Sequence, residues 1–244
     1  MINLIIVIPC YNEYNRLLYE KYISFLKSSK DIYIIFVDDG SIDNTIEQLE
    51  KIKLFSPKKV KILSNNTNKG KAHAVQMGML YASKKLKSNK IGYLDADLST
   101  PFKEIIRLSS LVSKNIKFVF GSRILKLDNE IIRKKYRFII GRIIATIISK
   151  MLKISVYDTQ CGCKVMNYNL IPDLFEEKFI SKWLFDVELF FRLKRKFGEN
   201  NIRENCLEVA LKKWIDTNDS RVNFSYFFKI WIDLYKINYF YNYK

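Results

Sequence analysis

Ile91-Gly92-Tyr93-Leu94-Asp95-Ala96-Asp97-Leu98-Ser99-Thr100-Pro101-Phe102 holds the reading that decides the fold. A short apolar run bounded by polar residues predicts a buried β-strand. Thr100-Pro101 then suits a helix start, with Pro at the first helical position. Between them stand two carboxylates. At a strand end, residues i and i+2 project to the same side. Asp95 and Asp97 therefore point at one place. Such a pair holds a hard cation: Mg²⁺ is bound by one or two carboxylates plus substrate phosphates, and Mn²⁺ accepts the same oxygens. Asp-x-Asp also occurs in solvated loops. Its position directly after a buried strand favours the metal reading.

The same grammar repeats outward. Apolar runs at 4–8, 32–37, 60–63 and 118–120 read as further strands. The run at 32–37 ends in Asp38-Asp39-Gly40-Ser41, and that at 118–120 ends in Gly121-Ser122-Arg123. Helical spacing lies between them. Ala72, Val75, Met79, Ala82 and Leu86 step by three and four, as do Ile46, Leu49 and Ile52. Alternating strands and helices predict an α/β fold with a mostly parallel, doubly wound central sheet flanked by helices. Ligands of such sheets bind beyond the carboxyl ends of the strands, where Asp38-Asp39, Asp95/Asp97 and Arg123 fall. The second half predicts amphipathic helices over 138–154, 180–197 and 224–243. The last holds ten aromatic residues with Lys229 and Lys236 among them. This divides the chain into one domain over 1–222 and an interfacial aromatic and basic helix over 223–244.

Composition narrows the class. The chain has 244 residues, 48% of them hydrophobic, which excludes disorder. Four cysteines without zinc-ribbon spacing predict a reduced, cytosolic protein. No stretch reaches the roughly 18 apolar residues of a membrane span; Arg142, Lys150 and Lys153 interrupt the nearest one. Met1-Ile2-Asn3 lacks the basic region of a signal peptide. The net charge is +17, and residues 103–156 contribute +10 of it. A concentrated basic block reads as a site for a polyanion: nucleic acid, anionic lipid or a phosphorylated substrate. Within it, Arg123, Arg133 and Arg137 offer forks that match phosphate oxygens. Gly70-Lys71 opens a helix and presents an ammonium and backbone N–H groups to phosphate, without the spacing of a P-loop. His73, the only histidine, reads as structural, and Cys161 and Cys163 as packing residues. Asp38-Asp39 serves either an Asp–Gly turn or a ligand.

Taken together, these residues resemble glycosyltransferase family 2, the nucleotide-sugar transferases of GT-A fold. Pro9-Cys10-Tyr11-Asn12-Glu13, Val37-Asp38-Asp39-Gly40-Ser41 and Asp95-Ala96-Asp97 carry the resemblance. It implies nucleotide-pocket roles for Pro9, Tyr11, Glu13 and Asp39, a ribose and diphosphate role for Asp95, and direct metal ligation by Asp97. Asn68-Lys69-Gly70-Lys71, Asp158-Thr159-Gln160-Cys161-Gly162-Cys163-Lys164 and Trp183-Leu184-Phe185-Asp186-Val187-Glu188-Leu189 resemble the dolichyl-phosphate β-glucosyltransferase branch. That branch implies inverting transfer of glucose from UDP-glucose to a polyprenyl phosphate, with Mg²⁺ or Mn²⁺ as cofactor.

A lipid phosphate is already largely anionic near pH 7, its second pKa being ~6 as for a phosphoserine. It needs a cationic cradle, here Arg123 and the Arg133/Arg137 pair, more than a base. A sugar hydroxyl, as in elongation of a surface polysaccharide, requires a base, and Asp158 and Asp186 are the candidates. A nucleic-acid-binding protein is disfavoured because acidic strand ends repel a polyanion. A non-catalytic sugar-nucleotide-binding module is disfavoured by the presence of both Asp95 and Asp97. The expected protein is a cytoplasmic enzyme, peripheral on the cytoplasmic face of an anionic membrane, that takes a UDP-sugar and a lipid phosphate and no nucleic acid.

Overall fold

The computed structural model describes residues 2–217 and 224–243. In chain order the first half runs β1 (Leu4–Cys10), α1 (Tyr19–Ser28), β2 (Ile32–Asp38), α2 (Thr45–Phe55), β3 (Val60–Ser64), α3 (Lys71–Lys85), β4 (Lys90–Leu94), α4 (Phe102–Leu111) and β5 (Phe118–Ser122). The second half runs β6 (Glu130–Ile132), α5 (Lys135–Leu152), β7 (Cys163–Asn167), α6 (Ile171–Phe175), α7 (Phe185–Phe197), α8 (Ile202–Asn205), β8 (Cys206–Ala210), β9 (Lys213–Ile215) and α9 (Phe224–Tyr243).

The central sheet has seven strands in the order β3-β2-β1-β4-β7-β5-β8. All neighbours are parallel except β7, which is antiparallel to both β4 and β5. The expected mostly parallel sheet is thus present, with one inverted strand between the ends that carry Asp95 and Arg123. β1 explains the packing. Its alternate residues Leu4, Ile6 and Ile8 join a core under α1, α2 and α4, while Ile5 and Val7 join one under α3, α6 and α7. A strand buried on both faces has to be apolar throughout. Gly78 lets α3 lie close on β1, since a Cβ there would stand 2.4 Å from the Val7 side chain.

Three details differ from the sequence reading. α7 begins at Phe185 rather than at 180, because residues 180–184 form a turn organised by Ser181. α5 does not bury one continuous stripe. Ile148 and Leu152 are buried, whereas Ile139, Ile140, Ile143 and Ile147 remain exposed. α9 buries Ile230, Leu234 and Ile237 in the core under α7 and stacks Tyr241 on Phe191. Its other side exposes Trp231, Ile232, Tyr235 and Tyr239. The expected boundary at 222/223 lies outside the described residues. Separately, β6 and β9 form a parallel pair that brings Trp214, Asp216 and Thr217 to the rim of the sheet's carboxyl edge.

Candidate active site

A cavity of about 620 Å³ opens beyond the carboxyl ends of β1, β2, β4 and β5, in the size range of small-molecule sites. Pro9, Tyr11, Glu13, Asp39 and Lys71 line it, as do Asp95, Asp97, Arg123 and Arg137. Asp158 and Asp186 are not among its lining residues.

Asp95 and Asp97 both line the cavity. Asp95 leaves β4 with its N–H bonded to Gly162 O at 3.2 Å, and its carboxylate pairs with Lys71 Nζ at 2.6 Å. Gly162 is required there: a Cβ would lie 2.0 Å from Asp95 Oδ2. Asp97 Oδ1 accepts from the Ser99 N–H at 2.9 Å. Its Oδ2 accepts from Arg16 Nη2 at 2.5 Å and from the Thr217 hydroxyl at 2.8 Å. Burial raises the Asp97 pKa, but Ser99, Thr217 and Arg16 outweigh it and hold the carboxyl below its usual range. Asp97 is therefore anionic at neutral pH. An oxygen-only pair at one strand end fits a hard divalent cation whose remaining positions are filled by phosphate and water. Among the described residues no group of three or more acidic, histidine or cysteine side chains stands ready to hold a metal unaided.

Asp39 is engaged by its own chain. It accepts from Asn65 Nδ2 at 2.8 Å, from the Lys69 N–H at 3.1 Å and from the Gly70 N–H at 2.7 Å, which fixes the loop leading into Lys71. His73 contacts the same Asn65 amide through Nδ1 at 3.2 Å. The Glu13 N–H donates to Thr45 Oγ1 at 2.7 Å, pinning the β1 loop to α2.

The arginines are less free than composition implies. Arg123 makes a fork to Asp158, with Nε at 2.7 Å and Nη2 at 2.9 Å, and its N–H also donates there. Its guanidinium stands 5.4 Å from the centre of the Trp214 ring. Arg137 Nη1 reaches both oxygens of Asp216 at 2.9 and 2.8 Å. Arg133 makes no ion pair among the described residues; it donates to Arg123 O at 3.3 Å and lies over the Phe138 ring at 4.3 Å. Burial and the neighbouring Arg123 lower its pKa.

Asp158 is a structural anchor for Arg123. Burial raises its pKa, but Arg123 overcomes this and brings it to about 2. A folded-state pKa below the unfolded one adds stability above the ordinary carboxyl pKa, lost as pH falls toward the folded value. The pair should contribute about 2 kcal/mol at neutral pH, lost between roughly pH 4 and 2. Asp158→Asn leaves the partly exposed Arg123 guanidinium without its carboxylate and is expected to cost on the order of 3 kcal/mol at pH 7. Urea unfolding at pH 7 and at pH 3 tests this. The gap between wild type and variant should narrow at the lower pH; an equal gap would remove the linkage.

Asp186 lies deeper, 3% exposed. Its Oδ1 accepts from Lys164 Nζ at 2.6 Å and from the Tyr93 hydroxyl. Lys164, fully buried on β7, also donates to Cys161 O at 2.6 Å. The cluster ties α7 to the turn that carries Gly162 beneath Asp95. Asp158 and Asp186 are the candidates for a base toward a hydroxyl acceptor; neither lines the cavity, Asp158 being paired with Arg123 at its wall and Asp186 with the buried Lys164.

The sequence alone points to no role for Arg16, Trp214, Asp216 and Thr217, and shows Trp183 only within a motif; all five line the cavity. Arg16 stands three residues after Glu13 and was within reach of the motif. Asp216 and Thr217 carry no local signal; they arrive through β9.

The sequence model of Glycosyl transferase family 2 matches residues 5–175. The dolichyl-phosphate β-glucosyltransferase of Dictyostelium discoideum is 29% identical over 254 aligned positions, covering 94% of this chain and 76% of that protein. The Saccharomyces cerevisiae protein of the same name is 32% identical over 214 positions, covering 78% and 62%. Among solved structures, glucosyl-3-phosphoglycerate synthase from Mycobacterium tuberculosis, in complex with Mn²⁺, UDP and phosphoglyceric acid, superposes with a TM-score of 0.68 at 12% identity, covering 98% of this chain and 78% of that one. That likeness bears out the expected GT-A arrangement. The family match spans the β1 loop, both aspartate-bearing strand ends and the Asp158–Lys164 string, and so the chain belongs to glycosyltransferase family 2 as a nucleotide-sugar-dependent enzyme.

Proposed function

We infer that this enzyme transfers glucose from UDP-glucose to a polyprenyl phosphate, inverting the anomeric carbon, while attached to the cytoplasmic face of a membrane. One observation carries the reading. The carboxylate pair and three arginines face one cavity, which is also lined by Gly141 of α5, a helix with exposed isoleucines. The names of the relatives, which place glucosyl transfer on dolichyl phosphate, support it.

On this reading the donor takes the side of the cavity lined by the ends of β1, β2 and β4. The nucleoside lies among Pro9, Tyr11 and Asp39, and the diphosphate lies at Lys71, Asp95 and Asp97. Asp97, with Asp95 beside it, would hold a Mg²⁺ or Mn²⁺, which would supply Lewis-acid stabilisation of the departing diphosphate. Lys71 adds a fixed positive charge there. Burial lowers its pKa, but Asp95 and Asp186 more than reverse this, so it is fully protonated at neutral pH. Opposite, Arg133 with Arg123 and Arg137 receives the acceptor phosphate as a preorganised electrostatic clamp. One phosphate oxygen forms the new bond to C1. The old C1–O bond breaks with its electron pair leaving on UDP. No proton has to be removed from the nucleophile.

The lipid tail has a path. Arg137 and Gly141 line the cavity, and on the same helix Ile139, Ile140, Ile143 and Ile147 are exposed. No helix among the described residues is long and apolar enough to cross a membrane. The protein is therefore expected to co-sediment with anionic liposomes at low salt, with each basic group near the surface contributing about 1 kcal/mol. Salt should release it, and Ile143→Glu should weaken it at constant fold. Failure to co-sediment at low salt would remove the membrane assignment.

The test of the whole reading is incubation with a panel of radiolabelled nucleotide sugars and polyprenyl phosphate, followed by organic extraction. Label from UDP-glucose in the organic phase is expected. Label from another nucleotide sugar would reassign the donor, and label only in water-soluble glycan would reassign the acceptor.

A further inference from the structure

We propose that Trp183 is the platform on which the donor sugar stacks, and that Ser181, Glu188 and Asp233 position it. The inference rests on the donor-site reading above and names a contact that reading leaves open.

Trp183 lines the cavity and is 37% exposed. The other groups around the diphosphate position are ionic: Lys71, Asp95, Asp97 and Arg16. The indole lies beside them. Lys71 Nζ is 5.8 Å from the ring centre and pairs with Asp95 at 2.6 Å. The ring thus borders the place where the diphosphate has to sit. The nucleoside side is occupied by Pro9, Tyr11 and Asp39, and the acceptor side by the arginines. The group joined directly to the diphosphate is the sugar. A pyranose presents a face of C–H bonds that suits the flat, electron-rich face of an indole, while its hydroxyls suit the polar walls.

The support under Trp183 points the same way. The turn before α7 is held by groups with almost no exposure. Glu188, 0% exposed, accepts from the N–H groups of Ile180 and Ser181, each at 3.0 Å. Ser181, 1% exposed, accepts at Oγ from the N–H groups of Trp183 at 3.2 Å and Leu184 at 2.9 Å. Its hydroxyl proton goes to Asp233 Oδ2 of α9 at 2.6 Å. Tyr241 of α9 also reaches Glu188, at 3.3 Å. On the cavity side, the Ala72 N–H donates to Lys182 O at 3.0 Å and ties the turn to the start of α3. A buried carboxylate is costly unless it is satisfied by hydrogen bonds. Here the buried Glu188 and the half-buried Asp233, the second from the C-terminal helix, hold the turn that carries one partly exposed tryptophan. That arrangement specifies an orientation, and it makes α9 a supporting wall of the donor site.

The experiment compares UDP with UDP-glucose by titration calorimetry and steady-state kinetics in Mn²⁺, on the full chain. Trp183→Ala is expected to leave UDP affinity within about twofold while raising the KM for UDP-glucose roughly tenfold, and Trp183→Phe should recover most of the loss. Asp233→Ala should move the UDP-glucose KM the same way, and Asp233→Asn, which still accepts from Ser181, should restore it. Parallel loss of UDP and UDP-glucose affinity in Trp183→Ala would overturn the proposal and put the indole against the nucleoside. Unchanged UDP-glucose parameters in both Trp183→Ala and Asp233→Ala would overturn it as well. A wild-type protein that binds UDP but no UDP-glucose overturns the choice of sugar, and repeating the comparison with the sugar nucleotide that does bind decides the platform separately.

Discussion

Asp97→Asn is expected to lower glycosyl transfer by about 10³-fold or more while the protein stays folded. The substitution keeps an oxygen to accept the Ser99 N–H and replaces the charged Oδ2, which accepts from Arg16 and Thr217, with an amide donor. In the free protein that charge is neutralised by Arg16 at 2.5 Å, with the Thr217 hydroxyl at 2.8 Å. Losing a hydrogen-bonded partner of this kind costs about 1–3 kcal/mol of stability, too little to unfold an ordinary domain. The catalytic cost is larger because it falls where the leaving group gains charge. UDP affinity with and without Mn²⁺ is the independent readout. The Mn²⁺-dependent gain in UDP binding should vanish in the variant while circular dichroism and metal-free UDP binding stay close to wild type. Near-normal turnover by Asp97→Asn in Mn²⁺ or Mg²⁺ would end the metal assignment.

Why Asp97 was legible and its partners were not is a matter of range. A buried strand followed by two carboxylates is local information, because hydropathy and side-chain alternation act over a few residues. The strand ends at Asp38-Asp39 and Arg123 were readable for the same reason. β7 was not. Its second residue is Lys164, with 0% exposure, and no hydropathy argument places a lysine on an interior strand. That lysine is tolerated because Asp186, 22 residues later, sits against it, and only the folded chain shows the pair. The same holds for Arg16 with Thr217, 201 residues apart.

The basic block teaches the converse lesson. Its +10 suggested a naked cationic surface, but Arg123 and Arg137 are already matched by Asp158 and Asp216 from later in the chain. The exposed isoleucines of α5 were readable as an apolar stripe. What periodicity could not show is that half of this stripe buries itself in the core and half does not, since the number of neighbouring elements decides that.

Arg133→Ala and Arg137→Ala are each expected to lose roughly 10²–10³ in kcat/KM with polyprenyl phosphate as acceptor. They should do so for different structural reasons. Arg133 has no ion-pair partner among the described residues, so its charge is available to a phosphate without exchange. Its removal strands no carboxylate and should leave thermal stability nearly unchanged. Arg137 has to share its guanidinium between Asp216 and the incoming phosphate, and Arg137→Ala also loosens the β9 end that carries Thr217 to Asp97. A lipid phosphate arrives charged, so its transition state needs cations and not a proton acceptor. Asp158 and Asp186 fit that economy of means: each is paired with a cation, the cavity-wall Arg123 or the buried Lys164, and neither lines the cavity itself. Asp158→Asn and Asp186→Asn should therefore act through stability, and any fraction that remains folded should retain UDP affinity and turnover within about tenfold. If either variant abolishes transfer while its fold and UDP affinity survive, a base is required after all. The nucleophile would then be a hydroxyl, because the phosphate dianion that predominates at pH 7 has no proton whose removal could limit the rate, and elongation of a glycan would replace lipid glucosylation as the reaction.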